Sequence, residues 1–196
     1  GTVLADVQGT GIAQPLAFAG VAQGGALERR RIVHAKDFGN ALCGTGASQG
    51  TAPTGASNPF APGTFNGEIV ICVRGIYARV EKSFNVRQSG AAGYVLVNTL
   101  AEAESTTSDN HGMPAVHLGY SDGQQLQALV EAARVAGGQV SGTIQGTQRV
   151  LDERFGDRIA AFSSRGPVLP YGGWLKPNLS APGVSTTMKS CVLSMS

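Results

Sequence analysis

Apolar residues along the chain fall in short runs separated by glycine and proline, a pattern that favours strands over long helices. Runs rich in apolar or β-branched residues predict buried strands at 68–74, 93–98 and 115–118. Residues 139–145 alternate apolar and polar positions, as a strand exposed on one face would. Before residue 40, the stretches GTVLADV, PLAFAG and RRIVHA predict short strands or extended connections.

Two segments instead have helical spacing. Residues 80–90 predict a short helix with Val80, Phe84 and Arg87 on one side and Gly90 just beyond its end. Residues 121–136 predict a longer helix, with apolar residues at positions i, i+3, i+4 and i+7 from Leu126. The order of elements is therefore strand, helix, strand, long connection, strand, helix, strand, which predicts an α/β (α+β) domain.

The ends of this domain are marked by changes in composition. A long loop rich in Gly, Ser, Thr and Pro runs over 44–67, and from Leu151 onwards prolines and glycines are too frequent for a separate core. We predict an N-terminal extended segment at 1–36, a domain at 37–150 and a C-terminal extended tail at 151–196. The tail needs another body to bury its apolar side chains.

Composition excludes several classes of protein. Of the 196 residues, 14% are charged and 28 are glycine, whereas average chains have roughly 25% charged residues and 7% glycine. An apolar fraction of 42% is too high for a disordered tail, and a net charge of +2 gives no field for nucleic acid. No run approaches the roughly 18 apolar residues of a membrane span. We expect neither nucleic acid nor a membrane as partner.

Three cysteines occur, Cys43, Cys72 and Cys191, with no C-x-x-C pair to suggest a zinc site or a redox dithiol. Cys43 and Cys72 could form a bridge in an oxidising compartment, tying the long loop to a strand. Alternatively, Cys72 is simply a small buried apolar residue.

The possible sites of chemistry have simpler structural explanations. Gly119 to Gly123 match the G-x-S-x-G motif of a serine nucleophile, but all three histidines precede Ser121, whereas that motif needs a later one. Ser121 with Gln124 instead predicts a capping box at the start of the second helix. His111 and His117 lack the spacing of metal ligands, and Arg29 to Arg31 predict a solvated turn. We expect no catalytic residue, metal or cofactor in this chain.

Residues 67–99, GEIVICVRGIYARVEKSFNVRQSGAAGYVLVNT, resemble the protease-associated (PA) domain family. That family carries a G-K-I-V-L-C-x-R-G strand, a lysine-containing helix, A-G-A-x-G and a V-I-V-x-N strand. A later segment around Pro114 resembles the family's closing strand and helix. The matching positions that we take as structural motif residues are Arg74, Gly75, Lys82, Gly90, Gly93, Asn98 and Pro114.

The resemblance implies the PA fold, a twisted β-sheet or partly open β-barrel flanked by two helices. Many members carry a second cysteine just after the Arg-Gly pair, where this chain has Tyr77 and Arg79. Its absence favours Cys43 as the disulfide partner of Cys72.

The tail is similar to a segment of the catalytic domain of subtilisin-like serine proteases, in which such segments follow an inserted PA domain. Asn178 replaces the usual Asp of that segment, and no G-T-S-M-A nucleophile motif follows. The catalytic Asp, His and Ser of that family therefore lie outside this chain. The matching tail residues are Phe162, Ser163, Ser164, Arg165, Gly166, Pro167, Ala181, Pro182 and Gly183.

The resemblance implies a non-catalytic PA domain of a secreted subtilisin-like endopeptidase, with residues 1–36 as the connection from the protease core. Its role would be to modulate substrate access, protein-substrate binding or self-association. Expected partners are the rest of the catalytic domain, a protein or peptide substrate, and a second copy pairing through the tail or a sheet edge. The alternative is a lumenal protein-binding PA module of a sorting receptor or membrane-bound ligase.

Overall fold

The computed structural model describes residues 1–148, which fold around one seven-stranded sheet. Two α-helices accompany the sheet, α1 (Arg79–Gln88) and α2 (Tyr120–Val135), and a short 3-10 helix covers Ala35–Phe38. The strands are β1 (Thr2–Gly9), β2 (Leu16–Gly20), β3 (Leu27–His34), β4 (Ile69–Val73), β5 (Gly93–Val97), β6 (Ala115–Leu118) and β7 (Val140–Gln145).

The strand order is β2-β1-β7-β3-β4-β5-β6. Strands β3 to β6 are parallel, and the pairs that involve β1 and β7 are antiparallel. The two edge strands also meet, because the backbones of Val21 and His117 exchange hydrogen bonds of 3.2 and 2.9 Å. The sheet therefore curves into a nearly closed barrel, and the predicted α/β PA fold is confirmed.

Alternation along the central strands divides the apolar side chains between two cores. Ile69 and Ile71 of β4 join a core that includes Leu126 and Val130 of α2. The intervening residue Val70 joins a second core with Val86 of α1 on the other face of the sheet. Because the parallel strands are buried on both faces, they read as continuous apolar runs in the sequence.

The predicted strands at 68–74, 93–98, 115–118 and 139–145 and both predicted helices are confirmed to within two residues at either end. The prediction of a solvated turn at Arg29 to Arg31 was wrong. These side chains are exposed, as expected, but their backbone lies in β3, between β4 and β7. An exposed strand surface and a turn have the same polar pattern over three residues.

Three of the seven strands precede residue 37, so residues 1–36 contribute β1, β2 and β3 to the same sheet as the rest. The division into parts at 36 and 150 stays a prediction, and the whole tail at 151–196 lies outside the described residues. Among the described residues, no helix is long and apolar enough to cross a membrane.

Candidate functional site

The loops that follow β4 and β5 leave the sheet side by side at its carboxyl edge. Val73 and Val97, the last residues of these strands, are partners in the parallel register. The backbone N–H of Arg74 continues the pairing by donating to the carbonyl of Val97 at 2.9 Å. The loop at 74–78 and the start of the loop at 98–114 therefore form one continuous edge.

Asn98 holds this edge together from inside the protein, where its side chain is buried. Its Oδ1 accepts hydrogen bonds from Arg74 Nη1 at 3.2 Å and from His117 Nε2 at 2.8 Å. Its Nδ2 donates to the carbonyls of Ala103 and Ser105 at 2.9 and 2.8 Å. One amide thus joins β4, β6 and the loop after β5.

His117 is neutral in this network. Since Asn98 Oδ1 can only accept, His117 Nε2 carries the proton, and Nδ1 accepts from the backbone N–H of Thr107 at 3.1 Å. Burial lowers the pKa of His117 to about 4. The ring therefore anchors the returning loop and does not titrate near neutral pH.

A second anchor lies further along the same loop. Arg79, at the start of α1, forms a two-pronged ion pair with Asp109. Burial acts to raise the pKa of Asp109, but the hydrogen bond and charge of Arg79 outweigh it and hold that pKa below its usual value. Nearby, Nδ1 of the buried His111 shares a hydrogen bond of 3.0 Å with Ser83 Oγ, and burial lowers the pKa of His111 to about 4.

The long loop before β4 is attached to α1 by a buried carboxylate. Glu81 accepts from the hydroxyls of Ser48 and Ser57, at 2.6 and 2.5 Å, and from the backbone N–H of Gln49 at 2.9 Å. Burial acts to raise the pKa of Glu81, but these hydrogen bonds outweigh it and lower that pKa. The carboxylate of Glu81 therefore holds the long loop against α1.

The neighbouring Lys82 is buried as well and donates to the carbonyl of Leu42. Its ammonium lies 5.3 Å from the centre of the Tyr77 ring, and burial lowers its pKa to about 8. Next to Leu42, Cys43 forms a disulfide with Cys72 of β4. The loop is therefore tied to both the sheet and α1.

The Ser121 capping box was wrong. Helix α2 begins at Tyr120, and the residue before it, Gly119, has no side chain that could cap the helix. The carboxylate of Glu104 takes that place, because its Oε1 accepts from the backbone N–H of Ser121 at 2.9 Å and from its hydroxyl at 2.6 Å. The cap comes from 17 residues away in the chain, which local spacing could not reveal.

None of the three histidines of the chain is placed as a base for Ser121. His34 Nε2 contacts Gln127 Oε1 at 2.9 Å, and His111 and His117 are held as described above. Within residues 1–148, no group of three His, Cys, Asp or Glu side chains could hold a metal ion.

Two large apolar side chains stand out on the carboxyl edge. Ile76 is 77% exposed and Leu100 is 72% exposed. Ile76 comes three residues after Val73 and Leu100 three residues after Val97, and these two valines are the paired last residues of β4 and β5. Edges of this kind, outside the carboxyl ends of parallel strands, are the usual ligand positions of α/β folds. The anchored loops and this exposed pair form the candidate site.

Comparisons with known proteins agree with this architecture. The family model of the PA domain matches residues 30–126. Subtilisin-like protease SBT5.4 of Arabidopsis thaliana is 36% identical over 124 residues, which are 63% of this chain and 15% of that protein. Subtilisin-like protease SBT1.4 of the same plant is 34% identical over 156 residues, 79% of this chain and 18% of that protein.

This chain contains a PA domain. The minor extracellular protease Vpr of Bacillus subtilis is similar too, with 31% identity over 135 residues, 68% of this chain and 16% of that protein. The chain thus spans less than a fifth of the length of these relatives. Among solved structures, an aminopeptidase from Aneurinibacillus matches with a TM-score of 0.41 and 15% identity, covering 74% of this chain and 29% of that one.

Within the PA domain, three of the predicted motif residues are buried, Lys82, Gly93 and Asn98, whereas Gly75 and Gly90 are exposed. Arg74, Asn98 and Lys82 hold the loops, and the carbonyl of Pro114 accepts from the N–H of Tyr94 at 3.0 Å. Gly90 has φ of 102°, and a Cβ there would lie 2.1 Å from the carbonyl oxygen of Phe65. The tail motif residues at 162–167 and 181–183 lie outside the described residues.

Proposed function

We propose that this chain is the non-catalytic PA domain of a secreted subtilisin-like serine endopeptidase, in which it controls how protein substrates reach the active site. The observation that carries the proposal is that β1 and β7, the first and last strands of the described sheet, are antiparallel neighbours. Val3 and Leu4 of β1 pair with Gln145 and Ile144 of β7, so the chain enters and leaves the sheet at one place.

Paired ends allow the domain to be inserted at a single point of a host domain without stretching it. Two connections at one point also restrain the domain more than one flexible linker would, so it can stand at a fixed place beside an active site. The catalytic domain of the parent enzyme is then its first partner.

Catalysis itself belongs to the parent. Acyl transfer of this type needs a serine, a histidine that takes its proton and an acid that orients the histidine. Each histidine of this chain is engaged in its own framework contacts, and Ser121 donates its hydroxyl to Glu104. An active-site serine probe is expected to leave the isolated 196-residue chain unlabelled, and labelling would overturn this part.

An extracellular location accords with the disulfide between Cys43 and Cys72, because such bridges persist in oxidising compartments. The Bacillus relative is named as an extracellular protease. Secretion of the parent, detected by its activity in the culture medium of expressing cells, would support the proposal, and retention inside the cell would contradict it.

The test of the function is removal of the domain from the parent enzyme. Because β1 begins beside the end of β7, residues 2–147 can be replaced by a short Gly-Ser linker that joins two neighbouring points of the chain. Cleavage of a folded protein and of a short peptide is then compared in the two enzymes. A changed preference between the substrates supports the proposal, and an unchanged one contradicts it.

A further inference from the structure

A partly open cavity of about 80 Å³ lies where α2, the 3-10 helix and the strands β3 and β7 meet. Strand β3 runs parallel to β4 on one side and antiparallel to β7 on the other, so the sheet changes its direction of pairing here. Residues from the second half of β3, the end of α2 and the start of β7 line the cavity. It therefore lies towards the carboxyl end of β3, the end at which α/β sheets commonly bind ligands.

Much of the cavity wall is apolar. The apolar lining residues are Ile32, Val33, Phe38, Val130 and Val140. Four of these are buried, whereas Phe38 is 39% exposed. The ring of Phe38 is nevertheless held in place, because it packs edge-on against the buried ring of Phe65 with the centroids 4.9 Å apart. A fixed apolar surface thus leads from the core to solvent.

The volume of the cavity limits what can enter it. A dry apolar cavity of about 150 Å³ accepts a benzene molecule. This cavity has about half that volume, so it fits the side chain of a Val, Leu or Ile and is too small for an aromatic ring.

The charges at the cavity favour an anion. Three charged residues line it, Arg31, Asp37 and Arg134. Arg134 is compensated, because it lies 3.6 Å from Asp37 and 2.7 Å from Glu131, and Glu131 also pairs with Lys36. Arg31 is exposed, and within residues 1–148 its side chain makes no hydrogen bond or ion pair. In this part of the chain the cavity therefore has one guanidinium group without a counter-charge.

We propose that this cavity is the docking site for an extended segment of another protein, in which a Val, Leu or Ile is followed two residues later by an Asp or Glu. Side chains two residues apart in an extended chain point to the same side. The aliphatic side chain can thus enter the cavity while the carboxylate pairs with Arg31, and guanidinium and carboxylate groups form two parallel hydrogen bonds. This inference goes beyond the proposed function and does not depend on it.

The position of the cavity favours a separate protein as the occupant. Val140, which lines the cavity, is the first residue of β7, whereas Gln145 at the other end of that strand pairs with Val3 of β1. Five steps along a strand span about 17 Å. The cavity is therefore well away from the place where the chain enters and leaves the sheet.

The unpaired charge argues against a second copy as the occupant. In a two-fold symmetric dimer the same patch faces itself, so Arg31 of one copy would face Arg31 of the other. Like charges in such a contact oppose association. A segment with an aliphatic and an acidic side chain instead complements both features of the cavity.

The test uses the full 196-residue chain and three fluorescent heptapeptides with blocked ends, measured by fluorescence anisotropy. The first peptide carries Leu and Glu two residues apart among Ser and Thr. The second has Lys in place of Glu, and the third has Ala in place of Leu. The Leu/Glu peptide is expected to bind about tenfold or more tightly than either of the others, and higher salt should weaken its binding.

The variant Arg31→Glu tests the role of the charge. Because Arg31 is exposed, the change should leave the fold intact. It should reverse the preference, so that the Leu/Lys peptide binds more tightly than the Leu/Glu peptide. Arg87→Glu is the matched control, since Arg87 is also exposed but lies on α1, on the other face of the sheet from α2. The control should keep the original preference.

Several results would overturn the proposal. These are binding of none of the peptides, equal binding of the Leu/Glu and Leu/Lys peptides to the original chain, and an unchanged preference in Arg31→Glu. An equal change of preference in Arg87→Glu would also overturn it, because the net charge of the chain would then be the cause. So would sedimentation showing a dimer that Arg31→Glu dissociates, because the occupant would then be a second copy.

Discussion

At the scale of single residues, the buried side chain of Asn98 uses its hydrogen-bonding groups completely. Asn98 makes four such bonds, two as acceptor and two as donor. Buried networks of this kind specify one arrangement of the surrounding loops, because any other arrangement leaves a buried group unpaired. The position of the Leu100 loop is thereby set from inside the domain.

Replacing Asn98 by Ala should destabilise the domain by about 1–3 kcal/mol, because it leaves the buried Nε2 of His117 without its acceptor and removes hydrogen bonds to Arg74 and to two carbonyls. Urea unfolding measures this as a lower midpoint. Asn66→Ala is the control, since Asn66 is exposed and its change should stay within about 0.5 kcal/mol. Similar losses in both variants would contradict the role of Asn98.

His111 and His117 predict a pH dependence of stability. Both have a folded pKa of about 4, below the 6.5 of an exposed histidine. Between these values the unfolded chain binds more protons, so the free energy of unfolding falls as the pH is lowered from 6.5 towards 4. Above about pH 7 these two histidines should no longer make the free energy of unfolding depend on pH.

Lowering the pH from 7.5 to 5 should therefore cost about 2 kcal/mol for each histidine. The carboxylates with lowered pKa, such as Glu81, add to the loss only below their ordinary value of 4.5. Urea unfolding of the chain and of His111→Gln at both values tests this, with a smaller pH dependence expected in the variant, in which His117 and the buried His34, whose pKa burial also lowers, still contribute. Equal midpoints at pH 7.5 and 5 would show that the rings are not buried and neutral.

At the scale of elements, long loops here behave as fixed parts of the structure because each is tied to a helix. Glu81 and Lys82, neighbours on α1, bind the loop before β4 through Ser48, Ser57 and the carbonyl of Leu42. Glu104, on the loop after β5, caps α2. The loops and helices are therefore interdependent in stability.

The disulfide between Cys43 and Cys72 closes 29 residues of that first loop. Limiting the unfolded chain in this way stabilises the folded state by about 3–4 kcal/mol in the loop-entropy account. The pair of changes Cys43→Ala, Cys72→Ala should lower the unfolding midpoint accordingly. Reductant should lower the midpoint of the original chain and leave that of the variant unchanged; an effect of equal size on both would contradict the assignment.

Glu104→Ala should destabilise the domain by about 1 kcal/mol, because it removes the acceptor for the N–H and hydroxyl of Ser121. Ser121→Ala should cost less, since the backbone N–H keeps its bond to Glu104. Thermal unfolding of the two variants compares them directly. A greater loss for Ser121→Ala would restore the local capping box that the sequence suggested.

Strands and helices could be predicted from the sequence where a local pattern of apolar residues determines them. Buried parallel strands such as β4 and β5 show as apolar runs, and α2 shows its helical period. The contacts that fix the site join residues far apart in sequence. Glu104 and Ser121 are 17 residues apart, Asn98 and His117 are 19 residues apart, and Arg79 and Asp109 are 30 residues apart. Sequence spacing carries no signal for such pairs without the fold.

At the scale of the whole described domain, the barrel places its first strand beside its last. Residues 2–34, which the sequence predicted only as short strands or extended connections, complete the sheet and pair β1 with β7. The family resemblance was visible at residues 67–99 and around Pro114, and two of its motif residues, Lys82 and Asn98, are buried where they hold the loops.

The central claim is that the PA domain selects protein substrates and takes no part in the chemistry. The direct measurement is kcat/KM for a folded protein and for a short peptide, in the parent enzyme and in the form lacking residues 2–147. The account predicts a loss of about tenfold or more in the ratio of protein to peptide cleavage, with peptide cleavage largely retained. An unchanged ratio, in an enzyme still fully active on the peptide, would contradict it.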